Sequence, residues 1–141
     1  MYQLIIVDDE PITRNALKNF ISQNCPDYIV SGIFSDGQEA LDFLIRHPVD
    51  MVITDIRMPV MAGLALCREV HQRFCNCILV IISGYGDFEY AKKAIHYGVS
   101  NYLVKPIDFD ELLDFLNASR ERLELIHEEA DTSLEDTELF F

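Results

Sequence analysis

The sequence predicts a doubly wound α/β fold, a (βα)5 chain with five parallel strands in one sheet and helices on both faces. Three observations carry this reading. Strand-like runs alternate strictly with segments whose apolar residues recur at helical spacing. Two of the runs, Leu4–Val7 and Ile78–Ile82, contain no polar residue, as strands buried on both faces require. Half of the 141 residues are hydrophobic, enough for the core of one ordinary domain.

Tyr2–Val7 reads as the first strand, and Ile12, Ala16, Leu17, Phe20 and Ile21 mark the first helix. Tyr28–Phe34 is the second strand. Ser35 or Asp36 can cap the helix that carries Ala40, Leu41, Phe43 and Leu44. Met51–Thr54, closed by Asp55, is the third strand, and Gly63–Phe74 the third helix. After the apolar strand Ile78–Ile82, Asp87 is expected to cap a helix with Phe88, Ala91, Ala94 and Ile95 that stops at Gly98. Asn101–Val104 is the fifth strand, and Asp108 or Asp110 starts a last helix that runs past Arg122. The expected division is a domain over residues 1–125 and an acidic tail or linker over 126–141. From Leu123 to Phe141 there are seven acidic residues and no lysine or arginine, so this stretch either continues the last helix or links onward.

Charge and composition exclude several functions. Against 11 Lys and Arg stand 24 Asp and Glu, a net charge of −13, which repels a phosphate backbone; direct nucleic-acid binding is not expected. The longest apolar runs, Leu4–Val7 and Cys77–Ile82, are far too short to cross a bilayer. Met1-Tyr2-Gln3 has no basic stretch of a signal peptide, so a cytoplasmic location is expected. Cys67, His71, Cys75 and Cys77 could be read as zinc ligands. However, Cys67 continues the apolar face of Leu64, Leu66 and Val70, where a thiol behaves as a small hydrophobe.

In an open α/β sheet, function gathers at the carboxyl ends of the strands. Here those ends deliver Asp8-Asp9, Asp55, Ser83-Gly84 and Lys105-Pro106 to one rim. Three carboxylates against one ammonium leave an excess of negative charge that a hard divalent cation, Mg2+, would balance. A cation held by carboxylates beside an ammonium and a hydroxyl suits a phosphoryl group, with Asp55 as the carboxylate nucleophile. Nucleotide sites are not encoded: there is neither GxGxxG after the first strand nor GxxxxGK[ST]. Asp55-Ile56-Arg57 also lacks the second acid that haloacid-dehalogenase-type phosphatases place two residues on.

The residues Val7-Asp8-Asp9-Glu10, Asp55-Ile56-Arg57-Met58-Pro59 with Gly63, Ser83-Gly84-Tyr85 and Tyr102-Leu103-Val104-Lys105-Pro106 together resemble the CheY-like receiver domain of bacterial two-component response regulators. The match spans about residues 2–122. The resemblance implies a sheet of order 2-1-3-4-5, Asp55 as phosphoacceptor, and Mg2+ held by Asp8, Asp9, Asp55 and the backbone carbonyl of Arg57. It further implies Lys105 as the phosphoryl-pairing lysine, Ser83 and Tyr102 as the switch pair, and a cis bond before Pro106. Arg57 and Tyr85 would flank the phosphoryl group and modulate water access. The domain would act as a phosphoacceptor with Mg2+-dependent self-phosphorylation and autodephosphorylation rather than as an enzyme on external substrates. The expected partners are a sensor histidine kinase and a second copy, docked through the Asp87–Tyr97 helix, the last strand and the last helix. Lys92 and Lys93 there face a complementary set in Asp110, Glu111 and Asp114.

The run Ser83–Ala94 is similar to the receivers of YesN-type regulators, which carry an AraC-type DNA-binding domain. No basic helix-turn-helix region follows in this sequence, so an excised or a stand-alone receiver is expected, acting on transcription through an output domain outside it. Ala62 stands where the family's MPxMDG pattern has Asp, a departure expected to matter little because it falls outside the site. Two other functions are compatible with the fold: a phosphate-independent docking module, and a Mg2+-dependent phosphatase. The intact acidic, hydroxyl and lysine set argues against the first, and loops too short to build a substrate pocket against the second.

Overall fold

The computed structural model describes residues 1–58, 61–84 and 88–139, and the side chains of these apart from 88–91 and 131–139. The expected Asp87 cap, Tyr85 and the terminal Phe140-Phe141 lie outside the described residues. The elements are β1 (Tyr2–Val7), α1 (Pro11–Asn24), β2 (Tyr28–Phe34), α2 (Gly37–Arg46), β3 (Met51–Asp55), α3 (Gly63–Arg73), β4 (Ile78–Ser83), α4 (Phe88–Ile95), β5 (Val99–Val104) and α5 (Phe109–Leu139). All pairings are parallel, in the order β2-β1-β3-β4-β5. The doubly wound (βα)5 architecture is therefore the one the alternation predicted.

Strand periodicity divides the core in two. Leu4, Ile6, Met51, Ile53, Ile78, Val80 and Ile82 point to one face, where they meet Leu17 and Ile21 of α1 and Leu112, Leu116 and Leu123 of α5. Ile5, Val7, Val52, Leu79 and Ile81 point to the other, against Leu41 and Leu44 of α2, Leu66, Cys67 and Val70 of α3, and Ala94 of α4. Each such side chain contributes about 1.5–3 kcal/mol by leaving water. Cys67 sits inside this second core, where burial pushes its thiol up to about 12.

The helix ends follow their local chemistry. Asp36 caps α2, its carboxylate accepting from the Glu39 amide at 2.9 Å. Asp108, rather than Asp110, caps α5, accepting from the amides of Asp110 (2.9 Å) and Glu111 (3.3 Å). α4 ends at Ile95, three residues before the expected stop. His96, Tyr97 and Gly98 donate instead to carbonyls three residues back, and Gly98, at φ +74°, turns the chain into a β5 that starts two residues early. α5 stays helical to Leu139. Along it, His127 Nε2 lies 2.7 Å from Asp50 Oδ1, and the His127 ring is edge-on to Tyr2. Among the described residues, no helix is long and apolar enough to cross a membrane.

Ala62 is the N-cap residue of α3, exposed and without a side-chain cap. Ala62→Asp is expected to stabilise the domain by about 0.5–2 kcal/mol by accepting an orphan amide hydrogen. Thermal unfolding should show a higher midpoint; an unchanged or lower one would count against a vacant cap.

Candidate functional site

The adjacent strands β1, β3, β4 and β5 end side by side, and this brings their terminal side chains to one rim. Asp8 follows β1 and is fully buried; its amide donates to the carbonyl of Phe34 at 3.0 Å, which extends the sheet. Asp55 ends β3 at 6% exposure, and its Oδ1 accepts from the amide of Ile56 at 2.7 Å. Ser83 ends β4, fully buried. Lys105 follows β5, its amide donating to the Ser83 carbonyl at 2.7 Å, and the Lys105–Pro106 bond is cis.

Lys105 is the centre of the arrangement. Its Nζ lies 3.1 Å from Asp55 Oδ2, 3.2 Å from Asp8 Oδ2 and 3.3 Å from Glu10 Oε1. Burial pulls the ammonium's pKa down, but the hydrogen bond and charge of Asp55, helped by Asp8, outweigh it and hold the group protonated above its ordinary range. Asp8 shifts upward, chiefly through burial and also through the neighbouring Asp55 charge, against the lowering by the Glu10 amide and by Lys105.

Asp8, Asp9, Glu10 and Asp55 each offer a carboxylate oxygen, all within 4.8 Å of one another. Asp8 Oδ2 is buried and, although near Lys105, lacks hydrogen-bond geometry to any partner among the described residues. A buried carboxylate oxygen left unsatisfied, inside a set of hard oxygen donors, fits a hard divalent cation.

Ser83 donates its hydroxyl to the phenol oxygen of Tyr102 on β5. Arg57 is exposed two residues beyond Asp55. The structure thus brings together Asp8, Asp9, Asp55 and Lys105, and separately pairs Ser83 with Tyr102.

Two contributors escaped the sequence reading. Glu10, the third acid of its run, shares Lys105; the run of three acids was its signal. Arg14 donates from Nη1 to the carbonyl of Asp8 at 2.8 Å, pinning the loop that carries the acids. Nothing in the spacing marked Arg14. Close by, Ile12, Ala16, Pro106 and Phe109 line an apolar groove of about 550 Å3, with Glu10 and Lys105 at its edge. Ile12 is 85% exposed there.

The chain is similar to one family of known proteins. The family described as response regulator receiver domain matches residues 4–117. The transcriptional regulatory protein HptR of Staphylococcus aureus is 41% identical over 114 residues, which cover 79% of this chain and 44% of that protein. The chain thus spans less than half the length of that relative. The receiver domain of AraT, a response regulator from Geobacillus stearothermophilus, superposes with a TM-score of 0.83 at 36% identity, covering 89% of this chain and 98% of that one. A two-component transcriptional regulator AraC from Clostridium phytofermentans gives a TM-score of 0.77 at 33% identity, with coverage of 89% and 97%. Family match, fold and rim of acids and lysine agree, and the chain belongs to the response regulator receiver domain family.

Proposed function

We propose that this receiver is the phosphoacceptor switch of a two-component phosphorelay. In this reading Asp55 takes a phosphoryl group from a histidine kinase, and a transcriptional output domain outside this chain is regulated by the result. The similarity to AraC-type regulators supports an output of the YesN kind. One observation carries the reading: a lysine ammonium shared at 3.1 and 3.2 Å by two buried carboxylates, one of which keeps an unsatisfied oxygen.

An Asp55 carboxylate oxygen attacks phosphorus as the phosphohistidine N–P bond breaks, and the imidazole nitrogen keeps the electron pair and takes up a proton. Lys105 turns part of its charge from Asp8 and Asp55 to a phosphoryl oxygen. Asp8, Asp9, Asp55 and the Arg57 carbonyl would hold Mg2+, which when bound neutralises charge on the phosphoryl oxygens. Ser83 Oγ is paired with the Tyr102 phenol and lies 3.4 Å from the carbonyl of Gly84. Drawing the Ser83 hydroxyl toward the phosphoryl group would loosen that pairing and free Tyr102 to repack, so one modification biases a two-state pair. Arg57 and Tyr85 restrict water and set the lifetime of the acyl phosphate. The apolar groove beside Lys105, lined in part by the exposed Ile12, suits a docked kinase helix.

The readout face is α4, β5 and α5, where Ile95 and Val104 are exposed and a homodimer would pair Lys92 and Lys93 with Asp110, Glu111 and Asp114. The test is intact mass after incubation with acetyl phosphate and Mg2+. One phosphoryl adduct is expected, absent in Asp55→Asn and with chelator, and the phosphorylated sample should sediment as a dimer. An adduct that survives in Asp55→Asn overturns the phosphoacceptor assignment; an unchanged monomer overturns the dimer alone.

A further inference from the structure

We propose that Glu10 sets which phosphodonors the site accepts, disfavouring small, freely diffusing dianions relative to a phosphohistidine presented by a protein. The proposal rests on the phosphoacceptor reading of Asp55. It starts from how Glu10 is held. Its amide donates to Asp8 Oδ1 at 2.8 Å, and it is the N-cap residue of α1 with Pro11 next in line. Its side chain does not cap that helix. Instead Oε1 accepts from Lys105 at 3.3 Å and Oε2 from the Thr13 hydroxyl at 3.4 Å. Both oxygens are thus tied at the rim, and a side chain 61% exposed is kept over the site by these contacts. The positive end of α1 favours a negative charge at this place.

Two consequences follow for an incoming donor. Asp8 and Asp55 are buried, so Glu10 and Asp9 are the acids of the cluster that a solute meets from solvent. The fixed carboxylate of Glu10 repels an approaching anion, and it also occupies part of the ammonium that would receive a phosphoryl oxygen. A small dianion has only its own charge with which to overcome this. A phosphohistidine on a protein is held by contacts elsewhere, including the groove beside Ile12, and so tolerates the same repulsion. The effect acts through charge, so it must scale with donor charge and fade with salt.

The test is the rate of adduct formation by intact mass for the whole chain and its Glu10→Gln and Glu10→Asp variants. Mg2+ is kept at a level that saturates each, fixed by thermal shift. Acetyl phosphate serves as the dianionic donor and phosphoramidate as the net monoanionic one. At low salt, Glu10→Gln should react with acetyl phosphate about three- to tenfold faster and with phosphoramidate by about the square root of that factor. Both gains should shrink toward onefold at high salt, and Glu10→Asp, which keeps the charge, should stay near the wild type. No gain with acetyl phosphate overturns the proposal, as does an equal gain with both donors that ignores salt. A wild type that takes no phosphoryl group from either donor instead overturns the phosphoacceptor reading on which the proposal stands.

Discussion

Gly63→Ala is expected to unfold the domain at markedly lower denaturant and to slow phosphoryl uptake at Asp55, although residue 63 lies eight positions away. The cause is space. A Cβ on residue 63 would stand 1.9 Å from the carbonyl oxygen of Asp55 and 2.9 Å from both the Asp55 carbonyl carbon and Ile56 Cα. All three are backbone atoms, so no rotamer change relieves the clash. The first turn of α3 packs directly on the exit of β3, and the Gly63 amide donates to Ile56 O at 3.0 Å. Ile56 in turn donates to Asp55 Oδ1 at 2.7 Å and to Ile82 O at 3.0 Å. Moving this peptide therefore displaces the carboxylate and loosens the β3–β4 pairing together. Overpacking of this kind costs about 1–3 kcal/mol, and a rigid backbone contact belongs at or above the upper end. Gly98→Ala is strained by its φ of +74°, and its Cβ would meet His71 Nδ1 at 2.4 Å. That ring is an exposed side chain that can turn aside, so the cost should be smaller, about 1–2 kcal/mol, and uptake unchanged. Denaturant melts and adduct rates on both variants check this; a Gly63→Ala protein with wild-type midpoint and rate would show that α3 can shift away from β3 at little cost.

The rim was legible because the sheet is buried on both faces. In such strands the run of apolar residues ends abruptly: Asp8 follows Leu4–Val7 and Ser83 follows Ile78–Ile82, while Asp55 and Lys105 are the first charged residues at the ends of β3 and β5. Strand bounds were legible to within one residue for the same reason, β3 and β4 each running one residue further to Asp55 and Ser83, apart from β5. There the cue for α4's end was Gly98, whereas the helix yields to tighter turns after Ile95, an adjustment no propensity specifies. Individual hydrogen bonds between elements were not legible from spacing, although the resemblance names Ser83 and Tyr102 as a pair. Arg14 reaches the Asp8 carbonyl across a loop, and the Ser83–Tyr102 link joins neighbouring strands. Both depend on the direction of long side chains once the strands are in register. The stretch beyond Leu123 left helix and linker both open, because an acidic segment with Leu, Ala and Glu has helical propensity without a second apolar face.

Lys105→Met should lower both stability and phosphoryl uptake strongly, and its effect on stability should depend on pH and on Mg2+. Methionine keeps most of the volume but leaves Asp8 and Asp55, both buried, with no ammonium between them. Removing one partner of a buried charged set costs about 3–5 kcal/mol; the rim is open on the Glu10 side, so the lower part of that range applies. In the wild type the folded-state pKa of Asp8 is already raised, through burial and the Asp55 charge. A carboxylate raised in the folded state destabilises as it ionises: its contribution is fully present below the ordinary carboxylate pKa and is lost as pH rises through the folded value. Without the lowering by Lys105 that folded value climbs further, so the loss grows. Lys105 itself is raised and stays charged across the acidic and neutral range, so its own ionisation does not change there. The deficit of the variant should thus be smallest at the acid end of the carboxylate range and grow as pH rises above it. Millimolar Mg2+ should recover part of it, because the cation is bound by the folded state and restores positive charge where the ammonium was. Phosphoryl uptake, measured at saturating Mg2+, should still fall by about a hundredfold, the scale of losing one preorganised charged donor. Melts from pH 4 to 8 with and without Mg2+ decide the stability half. A deficit that does not vary with pH would mean that the lost contacts were those of the lysine's alkyl stem, not its charge.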